Sequence, residues 1–212
     1  MSFIRELHSE QVKVWPKEGR HILAQYDDNT VIVYQAYRPS IGLYAAEHGT
    51  FGGDFSYSRM SWIKPNFLWM MYRSGWGTKE GQEVTLALRL RRVFFDSLLA
   101  QAVPSSWDRD QFATEEEWSR AVGRSSVRLQ WDPDHHPSGA KLERRAIQLG
   151  LRGEVLEAFG RRELAEVLDV SEFVAEQRAR QSSSGVSGLV TPSERVYRPA
   201  DPAVAARLRL AE

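Results

Sequence analysis

Two side chains suited to holding a phosphate or an amide lie one after the other in extended parts of the chain. Arg38 directly follows the apolar run 30–37, and Ser61 lies in the run 59–62. A guanidinium can clamp a phosphate or fix an amide by two parallel hydrogen bonds, and a positioned hydroxyl can orient the rest of such a ligand. The pattern therefore predicts a ligand site formed by Arg38 and Ser61. The alternative is an ordinary strand-end arginine that pairs with a surface carboxylate.

The most unusual local feature is a segment, residues 59–76, that mixes tryptophan with basic side chains. Such a mixture can form a stacking platform, in which an aromatic ring receives a nucleobase and the cations hold phosphates. The same rings can instead pack a core, because buried aromatic side chains contribute strongly to core energetics. Under the first interpretation the residues predicted to bind nucleic acid are Arg59, Trp62, Lys64, Trp69, Arg73 and Trp76.

The order of elements around Arg38 and Ser61 resembles the ADP-ribosyltransferase superfamily. A strand ends in Tyr-x-Arg-Pro, a helix ending in glycine follows, and a later strand carries the serine. By this resemblance Arg38 and Ser61, with Tyr37 beside them, bind NAD, and a residue on a late strand engages the nicotinamide ribose. Glu154 fits this third, catalytic position in chain order. Gln148 lies more clearly in a strand, although an amide cannot act as a carboxylate.

The resemblance implies a protein that binds NAD as its cofactor and transfers ADP-ribose to an unknown acceptor. Breaking the bond between nicotinamide and ribose passes through an oxocarbenium-like state, which a nearby carboxylate stabilises. The competing hypothesis is a non-catalytic RNA- or nucleotide-binding module that uses residues 59–76. A purely structural interaction role is the third hypothesis.

The chain also resembles, over roughly residues 20–180, the domain-of-unknown-function family number 4291, which is found in bacteria and fungi. The resemblance rests on the run 33–39, Val-Tyr-Gln-Ala-Tyr-Arg-Pro, and on the run 59–76, Arg-Met-Ser-Trp-Ile-Lys-Pro-Asn-Phe-Leu-Trp-Met-Met-Tyr-Arg-Ser-Gly-Trp. This second resemblance implies no established activity.

Several large functional classes are excluded because their motifs are missing. The sequence has no GxxxxGK[ST], no GxGxxG after a strand, no GxSxG, no HExxH and no cysteine, which excludes P-loop, Rossmann, serine-hydrolase and thiolate chemistry. The run 132–136, Asp-Pro-Asp-His-His, invites a metal hypothesis. Adjacent histidines in an extended segment point to opposite sides, and prolines bound the run, so a solvated loop is predicted and no metal is expected.

Charge and hydropathy restrict the partners. Lys plus Arg and Asp plus Glu both number 28, so the formal net charge is zero and the pI is about 7.0. This balance argues against a protein whose main role is to coat nucleic acid or an anionic membrane. The first residues lack the pattern of a secretory signal, and the most apolar run, 67–72, is too short to span a bilayer. A cytoplasmic location is expected.

Turn residues and apolar runs predict the elements that position Arg38 and Ser61. Two strands, 21–26 and 30–37, are predicted to form a hairpin through Asp-Asp-Asn. A helix is predicted to begin at Pro39 and to end at Gly49, because proline suits the first helical position and glycine the end. The run 67–72 fits either a helix or a strand.

The later elements follow from similar signals. The run 83–91 alternates between apolar and other residues, so a strand is predicted with Arg89, Arg91 and the following Arg92 on a solvent-facing side. Further predicted elements are helices over 93–103 and 115–122, strands over 127–132 and 145–151, and a helical stretch over 154–177 broken near Gly160 and Ser171.

Strands and helices interleave without a regular βαβ rhythm, which favours an α+β fold: a split or strongly bent antiparallel or mixed sheet with flanking helices, ADP-ribosyltransferase-like. One domain is predicted over 1–180. The residues 181–212 begin with a serine- and glycine-rich run, so a linker-like tail, partly flexible or docked, is expected there.

Overall fold

The computed structural model of the protein describes residues 3–186 and 188–211. The strands in chain order are β1 (Arg5–Leu7), β2 (Gly19–Arg20), β3 (Ile22–Ala24), β4 (Thr30–Tyr37), β5 (Ser61–Ile63), β6 (Val84–Arg91), β7 (Val103–Pro104), β8 (Val127–His135), β9 (Lys141–Leu151), β10 (Leu164–Asp169), β11 (Val190–Pro192) and β12 (Arg195–Tyr197). The helices are α1 (His8–Gln11), α2 (Pro39–His48), α3 (Phe67–Ser74), α4 (Arg92–Gln101), α5 (Glu115–Arg124), α6 (Gly153–Ala158), α7 (Ser171–Ser184) and α8 (Pro202–Leu208), with a π-helical turn at Phe159–Glu163.

The first sheet contains three antiparallel strands in the order β10-β6-β4. Its central strand β6 is covered on both faces, and seven of its eight residues are buried. The predicted solvent-facing side of this strand is therefore wrong at Arg89, which is only 6% exposed. Its guanidinium pairs with the Glu166 carboxylate at 2.7 Å, so a charge that the sequence placed in water is matched by the neighbouring strand.

The second sheet contains the order β2-β9-β8-β7, and β5 pairs with β9 off this path. Between the two sheets the chain makes one isolated antiparallel bridge, in which the Tyr34 and Lys64 backbones exchange hydrogen bonds of 2.7 and 3.2 Å. The sheet is thus split beside β4 and β5, with helices on its faces. The α+β class predicted from the sequence is confirmed.

Local signals place several elements where the sequence predicts them. Helix α2 begins at Pro39 and is closed by Gly49, whose φ of 68° is the left-handed conformation that glycine adopts without strain. The ambiguous run 67–72 is helical, because Asn66 caps α3 by accepting a 2.7 Å hydrogen bond from the Trp69 amide.

The helical stretch predicted over 154–177 is wrong in its middle. Strand β10 occupies 164–169, between α6 with its π-helical turn and α7. This strand pairs antiparallel with β6 from Leu164 to Asp169, where β6 otherwise has an open edge. The backbone hydrogen bonds supplied by β6 override the local helical preference of the segment.

The chain ends pack onto the two sheets. β11 pairs with β1, and β12 pairs with β3; Tyr26, in the segment after β3, makes an isolated bridge to Val31 on β4. Helix α8 follows, and the side chains of Tyr197 and Leu208 are buried in the main core. No helix within 3–186 and 188–211 is both long and apolar enough to cross a bilayer.

Candidate functional site

A cavity of about 290 Å³ opens where β4 ends and β5 begins. Arg38 and Ser61, which the sequence proposed as partners, both line it, and Tyr37 lies between them. The structure therefore brings together the three residues predicted to bind the cofactor. The full lining is Tyr37, Arg38, Ile41, Asp54, Phe55, Ser56, Arg59, Met60, Ser61 and Gly81.

The Ser61 hydroxyl is held by two side chains of the neighbouring strand. Gln35 donates to Ser61 Oγ at 2.7 Å and to the Trp62 carbonyl at 3.1 Å. The Tyr37 hydroxyl lies 2.6 Å from Ser61 Oγ. Burial raises the pKa of Tyr37 well above its ordinary value, so this hydroxyl keeps its proton at neutral pH.

Either hydroxyl can be the donor in the contact between Tyr37 and Ser61. When Tyr37 and Gln35 both donate to Ser61 Oγ, its two lone pairs are occupied and its own proton remains for a group in the cavity. Gln35 was not among the candidates from the sequence. Its role follows from the strand pairing, which no short motif records.

Arg38 and Asp54 form an exposed ion pair at the mouth of the cavity. Arg38 Nη2 lies 3.2 Å from Asp54 Oδ2, and the two side chains are 56% and 57% exposed. Such a pair contributes at most about 1 kcal/mol to stability, because water screens both charges. A ligand anion can therefore compete with Asp54 for the guanidinium at small energetic cost.

The two residues considered for the late-strand position do not reach this cavity. Gln148 lies on β9 beside Leu149, whose side chain faces the core, so Gln148 points to the opposite side of the sheet and donates to Asp132 at 2.7 Å. Glu154 lies exposed in the first turn of α6. Within the described chain, the carboxylate that lines the cavity is that of Asp54. Asp54 was not among the candidate residues from the sequence.

The aromatic and basic residues of 59–76 are divided between core and surface. Trp69 is 5% exposed and stacks on His135 with 5.1 Å between ring centroids. Lys64 is also buried at 5%, and burial followed by the charge of Arg73 lowers the pKa of Lys64 to about 8. Trp62 and Trp76 are partly exposed, and both Arg59 and Arg73 are exposed. The packing interpretation thus applies to Trp69, whereas the surface residues remain available to a partner.

Trp62 lies directly over the glycine opposite it in the sheet. A Cβ atom added to Gly150 would lie 3.0 Å from two atoms of the Trp62 ring and 2.7 Å from Met60 Sδ. Only a glycine at this position lets the indole rest on the β-sheet. Trp62 therefore lies on the same side of the sheet as the Gln148 side chain.

The run 132–136 is not the solvated loop that the sequence predicted. Strand β8 extends to His135, and Asp134 and His135 are 1% and 2% exposed because α3 and the N-terminal segment cover them. Asp134 forms a buried ion pair with Arg144, with 2.5 Å between Oδ2 and Nη2. Among the described residues no group of three or more acidic, histidine or cysteine side chains has the geometry to hold a metal ion.

Comparison with known proteins gives one family-level match. A family model described as a domain of unknown function (DUF4291) matches residues 21–197, which include the cavity, the first sheet, the second sheet except β2, and the segment 59–76. No curated protein matches the chain.

Proposed function

Because the chain belongs to the DUF4291 family, whose description names no activity, we propose a function from the cavity itself: an ADP-ribosyltransferase-like protein that binds NAD between Arg38 and Ser61. The observation that carries the proposal is that these two residues, far apart in sequence, line one cavity beside the split in the sheet. The resemblance implied an arginine that closes one strand and a serine on the next; Arg38 directly follows β4, and Ser61 begins β5.

Different parts of the cavity would bind the pyrophosphate and the nicotinamide end of NAD. Arg38 and Arg59 are exposed cations at its wall, and Arg38 can exchange the weak contact with Asp54 for a bidentate contact with the pyrophosphate. The N-terminus of α2 begins at the next residue without a side-chain cap in the described chain, which adds a favourable dipole for an anion. The volume of about 290 Å³ is at the lower end for ligand pockets, so only the nicotinamide riboside half enters.

The same walls can assist cleavage of the bond between nicotinamide and ribose. The Ser61 proton, left over after Tyr37 and Gln35 donate, orients the carboxamide of the leaving group. Asp54 supplies the carboxylate that stabilises positive charge on the ribose once Arg38 has turned to the pyrophosphate. Nicotinamide leaves with the bonding electron pair, and a water or an acceptor hydroxyl attacks C1′ and releases a proton. The acceptor class is open.

The test is thermal stabilisation by NAD together with nicotinamide release, measured on the wild type, Arg38→Ala and Arg91→Ala. Arg91 is a matched control, because it is an exposed arginine, 64% accessible, that like Arg38 pairs with a single acidic side chain, here Glu163. We expect NAD to stabilise the wild type and Arg91→Ala, and the shift to disappear in Arg38→Ala. Equal thermal shifts in all three proteins, or no thermal shift in the wild type, would show that NAD does not bind in this cavity.

A second candidate function is RNA or nucleotide binding on the surface of 59–76, as a non-catalytic module. The observation in its favour is that Trp62 is partly exposed above Gly150, while Arg59 and Arg73 are exposed in the same segment. Quenching of tryptophan fluorescence by a short oligoribonucleotide tests it, with Trp62→Phe and Trp107→Phe compared. Loss of quenching in Trp62→Phe alone favours this function, and unchanged quenching in both variants rejects it.

A further inference from the structure

A second cavity, of about 440 Å³, lies beside α3. It is enclosed by the N-terminal segment, α3 and the hairpin of β8 and β9, and within the described chain it shares no lining residue with the Arg38 cavity. Its volume falls within the range of small-molecule sites, about 300–1,000 Å³. Apolar side chains form much of its wall: Val12, Trp15, Pro16, Leu68, Leu142 and Val186.

His135 is a buried polar group in this wall whose ring nitrogens make no well-formed hydrogen bond among the described residues, although the Pro133 backbone acts on the ring. The residue is 2% exposed, and its ring stacks on Tyr72 at 3.6 Å and lies parallel to Trp69 at 5.1 Å, centroid to centroid. Because buried polar atoms without good hydrogen bonds are unfavourable, a ligand that satisfies one of them is favoured over an empty cavity.

His8 presents a second imidazole to the same space. It is 5% exposed and lies edge-on to Trp15 at 5.9 Å and to His136 at 6.3 Å. Burial, and then the charges of His136 and Arg144, lower the pKa of His8 to about 4, so its ring is neutral at pH 7. Each neutral imidazole offers one donor and one acceptor to a ligand.

The charged groups in the wall are of one sign. Arg144 and Lys17 line the cavity, and in the described chain no carboxylate does. Asp134 lies behind Arg144, holding its guanidinium through Nε at 2.8 Å, while the guanidinium carbon lies 5.3 Å from the Trp15 ring centroid. A carboxylate in the cavity would meet two imidazole donors, the ammonium of Lys17 and the guanidinium of Arg144, whose charge is paired with Asp134 and whose Nη1 donates to the Pro16 carbonyl.

We propose that this cavity is a binding site for a small, flat organic anion: a mostly apolar, ring-sized body against Trp15, Leu68 and Leu142, with one carboxylate directed to His8, His135 and Arg144. The site is separate from the proposed NAD site and does not depend on it. His135 lines the cavity, and its ring is held by stacking on Tyr72 and Trp69; a wall held in this way favours a planar ligand over a flexible one.

The probes are 2-naphthoate and its uncharged counterpart 2-naphthamide, titrated separately into the full chain. Nuclear magnetic resonance of the five histidines reports the site directly, because His8 and His135 line it whereas His21 and His48 do not. We expect 2-naphthoate to shift the signals of His8 and His135 and the amide to bind at least about tenfold more weakly, a difference of about 1.4 kcal/mol.

Two variants make the result specific. Leu142→Trp fills the cavity from a partly exposed wall position and is expected to weaken 2-naphthoate at least about tenfold, whereas Leu43→Trp, on the exposed face of α2, is expected to leave it unchanged. Circular dichroism confirms that both variants fold. No histidine shift at millimolar probe, equal binding of acid and amide, or equal effects of the two tryptophans would each overturn the proposal.

Discussion

The carboxylate of Glu194 accepts a hydrogen bond from the backbone amide of Phe67, with 2.6 Å between Oε1 and N across 127 sequence positions. Its other oxygen accepts from the Asn66 side chain at 3.2 Å, and Asn66 is the residue that caps α3. The Trp15 indole donates to the Glu194 carbonyl at 2.7 Å. The C-terminal segment therefore fixes the start of α3, the helix whose Leu68 lines a wall of the second cavity.

Replacing Glu194 by alanine is expected to lower the free energy of unfolding by about 1–3 kcal/mol, because the Phe67 amide is left buried without its acceptor. Burial raises the pKa of Glu194 well above its ordinary 4.5. An acid whose pKa is raised by folding contributes most stability below its unfolded pKa, and this contribution is lost as pH rises through the folded pKa. The difference between wild type and variant should shrink as pH rises from 4.5.

Urea unfolding at several pH values between 4 and 8 measures this difference. Glu10→Ala is the control, because Glu10 is 60% exposed in a local pair with Lys13. A wild-type advantage over Glu194→Ala that does not change with pH would contradict a raised pKa for the buried Glu194 carboxyl.

Two helical glycines predict opposite effects of the same substitution. At Gly42 in α2 a Cβ atom would lie 2.5 Å from Val84 on β6, whereas at Gly123 in α5 nothing lies within 4 Å of it. Gly42→Ala is expected to destabilise the protein by about 1–3 kcal/mol through overpacking. Gly123→Ala is expected to stabilise it by roughly 0.5–1 kcal/mol through helix propensity. The midpoints of urea unfolding measure both effects. Midpoints that move in the same direction in the two variants would refute the packing of α2 on β6.

The buried side chain of Lys64 is expected to make the free energy of unfolding depend on pH. Burial lowers its pKa from 10.5 to about 8, so at pH 7 the folded protein carries a buried ammonium at a disadvantage of roughly 3 kcal/mol relative to the unfolded chain. Between pH 8 and 10.5 the unfolded chain binds the proton and the folded one does not, so wild-type stability gains with pH. Lys64→Met should remove that gain and stabilise the protein at pH 7.

The comparison is made by chemical unfolding at pH 7, 9 and 10.5. Lys79→Met, at an exposed position, controls for the loss of a positive charge as such. If Lys64→Met and the wild type keep a constant stability difference across this range, Lys64 does not titrate within it.

The proposed enzyme predicts that Asp54, rather than the late-strand residues, carries the chemistry. Asp54→Asn is expected to lower nicotinamide release from NAD by about a hundredfold or more while NAD still stabilises the protein, because the amide keeps the shape of the wall and removes its charge. Glu154→Gln is expected to change neither quantity, since Glu154 lies exposed on α6.

Nicotinamide release under single-turnover conditions and a thermal shift titration separate chemistry from binding. Release that is lost in Glu154→Gln and kept in Asp54→Asn would restore the sequence-based choice of the catalytic acid. Release that both variants keep would leave binding of NAD without catalysis by either residue.

Much of the candidate site was predictable because its signals are local. Arg38 at the end of a β-branched run, Pro39 and Gly49 around a helix, and Ser61 in the next extended segment each depend on a few neighbouring residues. Asp54 carried no such signal. It reaches the cavity only because the loop after α2 folds back over the end of β4.

The same distinction explains the two corrected elements. Residues 164–169 have a helical preference, yet they form a strand because β6 offers an open edge. Asp134 and His135 read as a polar loop, yet they are buried because Arg144 matches the charge of one and Tyr72 and Trp69 cover the other.

Patterns among neighbouring residues were sufficient to predict the α+β class, the family, both ends of helix α2, and Arg38 and Ser61 as residues of one site. Which carboxylate joins that pair, which tryptophan is buried, and the sharing of one cavity by two histidines became apparent only in the folded chain. The two kinds of feature differ in how far along the sequence the interacting residues lie. Caps, turns and strand alternation depend on neighbours a few positions away. Burial and charge pairing depend on distant residues that come together only in the folded chain.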